Sequence, residues 1–421
     1  MHSPTPERLP HPQSRRDFLT AAVGVSGLPL LATAADSPAP APAPVAVEPP
    51  HFERKIKIGL IGAGGRGRWI AGLMKKHGGF EIAGIADYFA ETAQVGAKEL
   101  GVPENRVFDG LSGYKRLLDS GVEAVAIEDV PYFYPEQAKT AVEAGKHVYM
   151  AKPVAVDVPG CLTIGAAGKL ATQKNLCLLV DYQLPTDPAM IEIGQRVRDG
   201  ALGSLTHLTS FGIAWHAWPD PPLGPNIEDR LRKQIWLSDT ALSGDTIVSY
   251  DIHIIDALIW LLGQRPVAAC GRSRTCRPEP HGDRTDTAAV IFEFKGGEVW
   301  THVTQSIDNN PDITTLSASV FGTTATARVQ YSGKVYVRGG PKQYAGTIGS
   351  VFNQGVERNI AEFYRCVTDR KFENPSVQRA VDGTLTAILG REAAARRTWL
   401  TMDDLIRENK ALVTNLTGMK V

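Results

Sequence analysis

The stretch Lys55–Asp87, KIKIGLIGAGGRGRWIAGLMKKHGGFEIAGIAD, decides the fold. It begins with a short apolar run of strand length, which leads directly into glycines with G-x-G-x-x-G spacing. Gly62 would form a tight turn, Gly64 would let the backbone approach a pyrophosphate, and Gly67 would let the following helix lie against its strand. The free N–H groups at that helix N-terminus would hold an anion. This order of elements predicts a dinucleotide-binding turn, with Gly65 also in contact with the cofactor.

Two charged residues of this stretch bear on the cofactor. Arg66 lies inside the glycine turn, where it either contacts phosphate or is a solvated surface arginine. A second apolar strand, Phe80–Ala86, ends in Asp87, at about the 20-residue spacing expected of a carboxylate that binds ribose hydroxyls. A carboxylate there would repel a 2′-phosphate, so the sequence predicts NAD rather than NADP.

Length and composition limit the classes of protein to consider. The chain has 421 residues, which is too long for one ordinary hydrophobic core and predicts two domains. Its 45 basic and 45 acidic residues balance, so charge supports neither a nucleic-acid partner nor a membrane surface. Five cysteines without C-x-x-C spacing indicate neither a disulfide framework nor a zinc site, and the sequence shows no plausible cluster of metal ligands.

The N-terminus has the form of a twin-arginine export signal. Ser14-Arg15-Arg16-Asp17-Phe18-Leu19 precedes a weakly apolar stretch, and Ala32-Thr33-Ala34-Ala35 offers small residues for cleavage. The alternative is a disordered basic N-terminus. We expect residues 1–35 to be a signal peptide that the twin-arginine translocase recognises, and the mature protein to be periplasmic or otherwise extracytoplasmic. Because that route carries folded proteins, the cofactor would travel inside the protein.

A proline-rich segment follows the signal. Residues 36–53 include DSPAPAPAPVAVEPP, whose prolines lack N–H donors and exclude a helix or a central strand. The segment is predicted to be an extended arm or a plain spacer.

The rest of the chain divides into two predicted domains and a C-terminal segment. Over residues 54–182 apolar strands alternate with helical patterns, which is typical of parallel strands with helical crossovers and predicts an α/β Rossmann domain. Over residues 183–402 several strand-like segments alternate apolar with polar residues and are separated by glycine turns. We expect an α+β substrate-binding domain there, with a large, mostly antiparallel open sheet, and a C-terminal segment over residues 403–421.

Lys152 is a candidate for catalysis and for cofactor binding. It follows an apolar strand directly and precedes Pro153, which holds the chain out of helix at a strand end. Ligands of such folds bind at the carboxyl ends of strands. An ammonium group there would bind a substrate hydroxyl and stabilise an alkoxide as hydride leaves. The alternative is a lysine in a surface loop.

The segment Ser243–Leu262, SGDTIVSYDIHIIDALIWLL, is predicted to be one long apolar helix. Four polar residues would share one face of it: Asp245, Ser249, His253 and Asp256. Because buried polar groups need partners, this face predicts a site in which His253 is the acid or base and Asp256 orients it or contacts substrate. Ser249 is a further candidate for substrate contact. The alternative is a core histidine whose hydrogen bonds are satisfied.

Aromatic residues near the predicted cleft are candidates for sugar contacts, because aromatic rings suit the apolar faces of sugars. They lie at strand ends of the nucleotide domain or in a proline-containing loop of the second domain: Tyr132, Tyr134, Tyr182, Trp215 and, beside it, His216. A subunit contact would explain the loop residues equally well.

These motifs together resemble the Gfo/Idh/MocA family of oxidoreductases, over nearly all of the mature sequence. The resemblance lies in Ile58–Gly67, in Gly145–Ala155 (GKHVYMAKPVA), similar to the family's G-K-H-V-x-x-E-K-P segment, and in His253–Gly263, similar to its H-x-x-D…W-L-x-G helix. It implies that Lys152 contacts the substrate and the nicotinamide ribose. It also implies that His253 accepts the proton, with the aspartate of that helix beside it.

Three positions depart from the family pattern. Ala151 stands where members usually have glutamate, Ser249 where many have aspartate, and Tyr134 where members often have histidine. These positions would surround the nicotinamide and the substrate. They leave the predicted fold unchanged and the identity of the substrate open.

Export and the family resemblance together predict a cofactor that stays bound. Outside the cytoplasm no NAD(H) pool is available, so an enzyme there must reset tightly bound NAD on the protein. The prediction is an oxidoreductase that oxidises a sugar, polyol or glycoside and returns the hydride to another carbonyl compound. The alternatives are a redox-neutral enzyme that cleaves glycosides with bound NAD, and a non-catalytic sugar or nucleotide binder. The resemblance also implies a homo-oligomer that pairs through the C-terminal sheet.

Overall fold

The computed structural model describes residues 52, 54–214, 220, 222, 226–232, 234–307, 309 and 316–421. The predicted export signal, most of the proline-rich arm, and the candidates Trp215 and His216 lie outside the described residues.

The first sheet contains six parallel strands: β1 (Ile56–Ile61), β2 (Phe80–Asp87), β3 (Val107–Asp109), β4 (Ala124–Ile127), β5 (His147–Met150) and β6 (Leu178–Val180). Their spatial order is β3-β2-β1-β4-β5-β6. The order changes direction between β1 and β4, and the carboxyl ends of strands at such a point border the crevice in which dinucleotides bind. The predicted Rossmann fold is confirmed.

Five helices connect these strands: α1 (Gly65–His77), α2 (Ala90–Leu100), α3 (Gly113–Leu118), α4 (Tyr134–Glu143) and α5 (Val158–Gln173). Helices cover both faces of the sheet, so the side chains on both sides of a parallel strand are buried. The sequence of such a strand is therefore a continuous apolar run. Every residue of β4 is buried in this way.

The second sheet contains nine strands: β7 (Leu205–Ala214), β8 (Ala268–Arg274), β9 (Thr287–Glu293), β10 (Val299–Ser306), β11 (Leu316–Gly322), β12 (Thr326–Gln330), β13 (Gly333–Arg338), β14 (Tyr344–Ile348) and β15 (Leu400–Thr401). Their spatial order is β14-β13-β12-β11-β7-β10-β9-β8-β15. All neighbours are antiparallel except β7 and β10, which pair in parallel. Burial alternates along β9 and β10, as in a sheet with one face on the core. The predicted large, mostly antiparallel sheet is confirmed.

Eight further helices complete the described part of the chain: α6 (Pro188–Arg198), α7 (Ile227–Leu231), α8 (Thr240–Ser243), α9 (Thr246–Ser249), α10 (Ile252–Leu262), α11 (Val351–Thr368), α12 (Pro375–Arg396) and α13 (Met402–Glu408). Helix α11 returns to the nucleotide domain, where Ile360 and Phe363 share a buried cluster with Ile58 and Tyr149. In the part of the chain that the structure describes, no helix is long and apolar enough to span a membrane.

The predicted single helix over Ser243–Leu262 is wrong, because the chain breaks into α8, α9 and α10. Gly244 and Asp245 have φ angles of 84° and 76°, which a continuous right-handed helix excludes. The Asp245 carboxylate caps α9 at the Thr246 N–H and accepts a hydrogen bond from the Thr285 hydroxyl (2.9 Å). Asp245 therefore stabilises a turn and does not share a helix face with the candidate site.

Candidate active site

The glycine turn brings β1 and α1 into close contact. Gly62 has a φ of 87°, and a Cβ there would lie 2.6 Å from the backbone nitrogen of Asp129. A Cβ on Gly67 would lie 1.9 Å from the Gly62 carbonyl oxygen, which is closer than any side chain permits. Gly64 and Gly65 face open space. They border a cavity of about 600 Å³ and leave room for a pyrophosphate against the start of α1.

Asp87, at the end of β2, lines the same cavity. Its two oxygens accept hydrogen bonds from the backbone N–H groups of Ala63 (2.8 Å) and Phe89 (2.9 Å). Burial, with the nearby Asp129 carboxylate, raises the pKa of Asp87 to about 7. A ribose hydroxyl that donates to Asp87 would favour the ionised form. The cavity thus has the glycine turn and the carboxylate that an NAD-binding crevice requires.

Three charged side chains meet where β4 and β6 end. Arg66 donates from Nε to Oε2 of Glu128 (3.1 Å) and from Nη2 to Oδ2 of Asp181 (2.7 Å). Glu128 directly follows β4 and Asp181 directly follows β6, and both carboxylates are fully buried. Burial raises the pKa of Glu128 to about 7, although the charge of Arg66 opposes this. Arg66 therefore links the glycine turn to two strand ends.

Lys152 lies just beyond β5 and reaches the second half of the chain. Its Nζ donates to the carbonyl oxygen of Ser249, at the end of α9 (2.7 Å). Burial and the charge of Arg66 lower the pKa of Lys152 to about 7, against the opposing effect of Asp181 and Glu128. Ser249 makes this contact through its backbone carbonyl. The ammonium group of Lys152 lies near the charged groups of Arg66, Asp181 and Glu128.

His253 lies in the first turn of α10, one turn after the carbonyl that binds Lys152, and is buried. Its Nδ1 is 2.8 Å from the hydroxyl of Tyr331, and its ring packs edge-on against Tyr331 and Phe352. Burial, and then the charge of Lys152, lower the pKa of His253 well below 6.5. The imidazole is therefore neutral at neutral pH and able to accept a proton.

Asp256, one turn further along α10, has a different partner. Its Oδ1 accepts a hydrogen bond from Nε of Arg379 (2.8 Å), and the residue is fully buried. Burial raises the pKa of Asp256 to about 6, although Arg379 opposes this. The pair joins α10 to α12. The ring of His253 is hydrogen-bonded to Tyr331 instead.

The three aromatic candidates that the structure describes lie in different surroundings. Tyr134 is buried in the first turn of α4, beside the strand-end carboxylates. Tyr182 is buried, with the guanidinium of Arg379 5.7 Å from its ring centroid. Tyr132 accepts a hydrogen bond from the Thr414 N–H (3.5 Å), beneath the C-terminal segment. Of the three, Tyr134 is the residue that lies with Arg66 and its carboxylates.

Four residues of this region had no predicted role: Glu128, Asp181, Tyr331 and Arg379. The two carboxylates directly follow buried strands, so the rule that placed Lys152 at a strand end applies to them equally. Tyr331 and Arg379 carry no such local signal, because their partners lie far away along the chain.

A second cavity, of about 610 Å³, borders β6 and α12 around Tyr182 and Arg379. Neither the glycine turn nor Asp87 lines it, so the first cavity is the one that fits a dinucleotide. Across the described ranges, no three His, Cys, Asp or Glu side chains form a group that could hold a metal ion.

Two family models match the chain. The model described as "Oxidoreductase family, NAD-binding Rossmann fold" matches residues 56–182, and the one described as "GFO/IDH/MocA C-terminal domain" matches residues 190–328. Together the two matches span more than half of the sequence. The chain belongs to the Gfo/Idh/MocA family of oxidoreductases. This family member is an oxidoreductase with an NAD-binding Rossmann domain.

Related proteins agree with this assignment. The inositol 2-dehydrogenase of Klebsiella pneumoniae (strain 342) is 24% identical over 289 residues, which covers 67% of this chain and 76% of that protein. The aldose-aldose oxidoreductase of Caulobacter crescentus, solved with glycerol, superposes with a TM-score of 0.66 at 20% identity, covering 83% of this chain and 100% of that one. A levoglucosan dehydrogenase, solved with NADH and levoglucosan, gives a TM-score of 0.68 at 18% identity and covers 83% and 100% of the two chains. The two structures establish the fold.

Proposed function

We propose that this protein oxidises a sugar, polyol or glycoside with NAD that stays bound through the catalytic cycle. The observation that carries the proposal is the hydrogen bond between Lys152, at the end of β5, and the carbonyl of Ser249, one turn before His253. It joins an ammonium group at a strand end of the Rossmann domain to the segment that carries a neutral imidazole. A relative named for inositol and a structural neighbour named for levoglucosan support this class of substrate.

Lys152 and His253 have different roles in the oxidation of a CH–OH group. Bound NAD supplies the acceptor for the hydride. Lys152 donates a hydrogen bond to the substrate oxygen and stabilises the negative charge that develops on it. His253 accepts the hydroxyl proton at Nε2, in the tautomer whose Nδ1–H donates to the oxygen of Tyr331. Tyr331 would thus select the form of the ring that serves as a base.

A cover over the adenosine end of the cavity supports tight binding of NAD. Within the predicted C-terminal segment, residues 409–421 follow α13 and cross the nucleotide domain. There the Lys420 carbonyl accepts a hydrogen bond from the Leu111 N–H (2.9 Å), and the Lys420 N–H donates to the Tyr88 hydroxyl (3.1 Å). Leu416 of this segment lines the cavity, and Met419 is buried in an apolar cluster beside it. A nucleotide would leave this end only after the segment moves, which favours slow release.

Replacing Met419 by aspartate is expected to raise the release rate of NAD about tenfold or more, because a charge buried without a partner would detach the C-terminal segment. Release is measured by the decay of bound NADH fluorescence after dilution into excess NAD⁺. Val413→Asp is the matched control, since Val413 lies in the same segment and is 79% exposed. Equal release rates for the two variants would contradict the role of the cover.

We further propose that the protein acts outside the cytoplasm, after export in folded form by the twin-arginine translocase. The pattern around Arg15 and Arg16 supports this location. A bound cofactor that cannot exchange with an NAD(H) pool must be reoxidised on the protein, by transfer of the hydride to a second carbonyl compound. Pairing of subunits through the second sheet, which the family resemblance implies, is part of the same proposal.

This function is tested with the mature, folded protein purified after export. Denaturation should release stoichiometric NAD, and a sugar or polyol added to the native protein should produce the absorbance of reduced nicotinamide. A second carbonyl substrate should then remove that absorbance. Cleavage of a glycoside without net reduction would instead identify redox-neutral chemistry. Protein that is purified empty and binds NAD weakly would overturn the bound-cofactor proposal.

A further inference from the structure

Glu128 is a buried carboxylate to which the proposed reaction gives no role. It directly follows β4, lines the dinucleotide cavity and has a fully buried side chain. Its Oε2 accepts a hydrogen bond from Arg66 (3.1 Å), while its Oε1 has no hydrogen-bond partner among the described residues. A buried oxygen without a partner carries a desolvation penalty that a bound ligand can remove.

In Asp181, the other carboxylate beside Arg66, both oxygens accept hydrogen bonds. Its oxygens accept from Arg66 (2.7 Å), Asn359 (2.8 Å) and Gln183 (2.9 Å). The guanidinium of Arg66 thus binds two buried carboxylates. Of these two, only Glu128 has an oxygen without a hydrogen-bond partner, which a ligand could bind. With both carboxylates ionised, the cluster of Arg66, Glu128 and Asp181 carries one negative charge in excess.

The position of Glu128 identifies the half of the dinucleotide that it faces. Asp87 marks the adenosine ribose at the end of β2, and the glycine turn marks the pyrophosphate at the end of β1. In the same direction across the sheet, β4 and β5 come next, and Glu128 and Lys152 follow these strands. The nicotinamide half therefore extends over the end of β4, beside the ammonium group that binds the substrate oxygen.

We propose that Glu128 contacts the nicotinamide half of the cofactor and stabilises the oxidised form, NAD⁺, over NADH. This inference rests on the proposed function as an NAD-dependent oxidoreductase. The nicotinamide ring carries a positive charge in NAD⁺ and none in NADH, so an excess of negative charge beside it favours NAD⁺. The ammonium form of Lys152, which is lost as the pH rises through about 7, opposes this effect. The arrangement keeps a bound cofactor in the form that accepts a hydride from the first substrate.

The test is the midpoint potential of the nicotinamide couple bound to the full protein, measured by equilibration with redox dyes at a pH above 7, where the carboxylate is ionised. Glu128→Gln keeps the shape of the side chain and removes its charge. It is expected to raise the potential by about 30 mV, which corresponds to a tenfold change in the ratio of NADH to NAD⁺ affinity. Glu123→Gln is the matched control, because Glu123 precedes the same strand at its other end and pairs with Arg54. The control should leave the potential unchanged.

The outcomes separate this inference from the function on which it rests. An unchanged potential in Glu128→Gln, in a protein that binds both forms of the cofactor, overturns the inference and leaves the proposed function intact. Wild-type protein that binds neither form overturns the proposed function itself. If Glu128→Gln fails to fold, Asp181→Asn removes the second negative charge of the cluster and should raise the potential in the same direction.

Discussion

Replacing Lys152 by alanine is expected to lower the rate of hydride transfer by about 10²–10³-fold and to leave NAD bound. The ammonium group is the charge that opposes the negative charge on the substrate oxygen, and in the structure it is held by the carbonyl of Ser249. NAD itself would be held by the glycine turn and Asp87, which line the dinucleotide cavity. The rate is measured as single-turnover reduction of bound NAD by saturating substrate, and retention by the nucleotide released on denaturation.

The pH dependence of the same step distinguishes two roles for Lys152. Burial and the charge of Arg66 lower its pKa to about 7, so the ammonium form is lost as the pH rises through that value. His253 stays neutral in this range, because its pKa lies well below 6.5. We therefore expect the rate to fall as the pH rises through 7. A rate that increases instead in the wild type, but not in Lys152→Ala, would mean that the free amine of Lys152 is the base.

The control for both measurements is Lys139→Ala. Lys139 is an exposed lysine on α4, so its removal makes the same chemical change at the protein surface. It should alter neither the rate nor the pH profile. Loss of bound NAD from Lys152→Ala would show that this lysine holds the cofactor and would contradict the division of roles proposed here.

The nucleotide-binding half of the chain was predictable because its signals are local. β1, the glycine turn and Asp87 follow one another in a single stretch. Each of these residues makes its contacts within that stretch or with the next strand. Lys152 was found by a rule of the same kind, its place directly after a buried strand. The rule also covers Glu128 and Asp181. The rule does not show that both carboxylates bind the guanidinium of Arg66, because Arg66 and Asp181 lie 115 positions apart in the sequence.

The other half of the candidate site depends on pairings between distant segments. His253 is bonded to Tyr331, 78 positions away, and Asp256 to Arg379, 123 positions away. Neither partner follows a pattern that sequence periodicity detects, and the parallel pairing of β7 with β10 is equally non-local. The helix break at Gly244 differs, because Ser-Gly-Asp is a local turn signal. The apolar periodicity of the residues after it outweighed that signal and led to the wrong prediction of one helix.

Replacing Gly67 by alanine is expected to weaken NAD binding by about 100-fold or more and to lower the free energy of unfolding by roughly 1–3 kcal/mol. The added Cβ would lie 1.9 Å from the carbonyl oxygen of Gly62 and 3.4 Å from the Cβ of Glu128. The nearer atom is backbone, so no side-chain rotation relieves the clash. Helix α1 must move away from β1, and the N–H groups at its start move with it. NAD affinity is measured by titration and stability by denaturant unfolding.

Gly72→Ala, in the same helix, separates the effect of close packing from that of helix propensity. A Cβ at Gly72 meets nothing within 4 Å, so this alanine should raise the free energy of unfolding by roughly 0.5–1 kcal/mol and leave NAD affinity unchanged. If Gly67→Ala behaved in the same way, the contact between α1 and β1 would not determine the geometry of the phosphate site. A loss of stability and affinity in Gly67→Ala alone assigns both to that contact, because the two variants make the same chemical change in one helix.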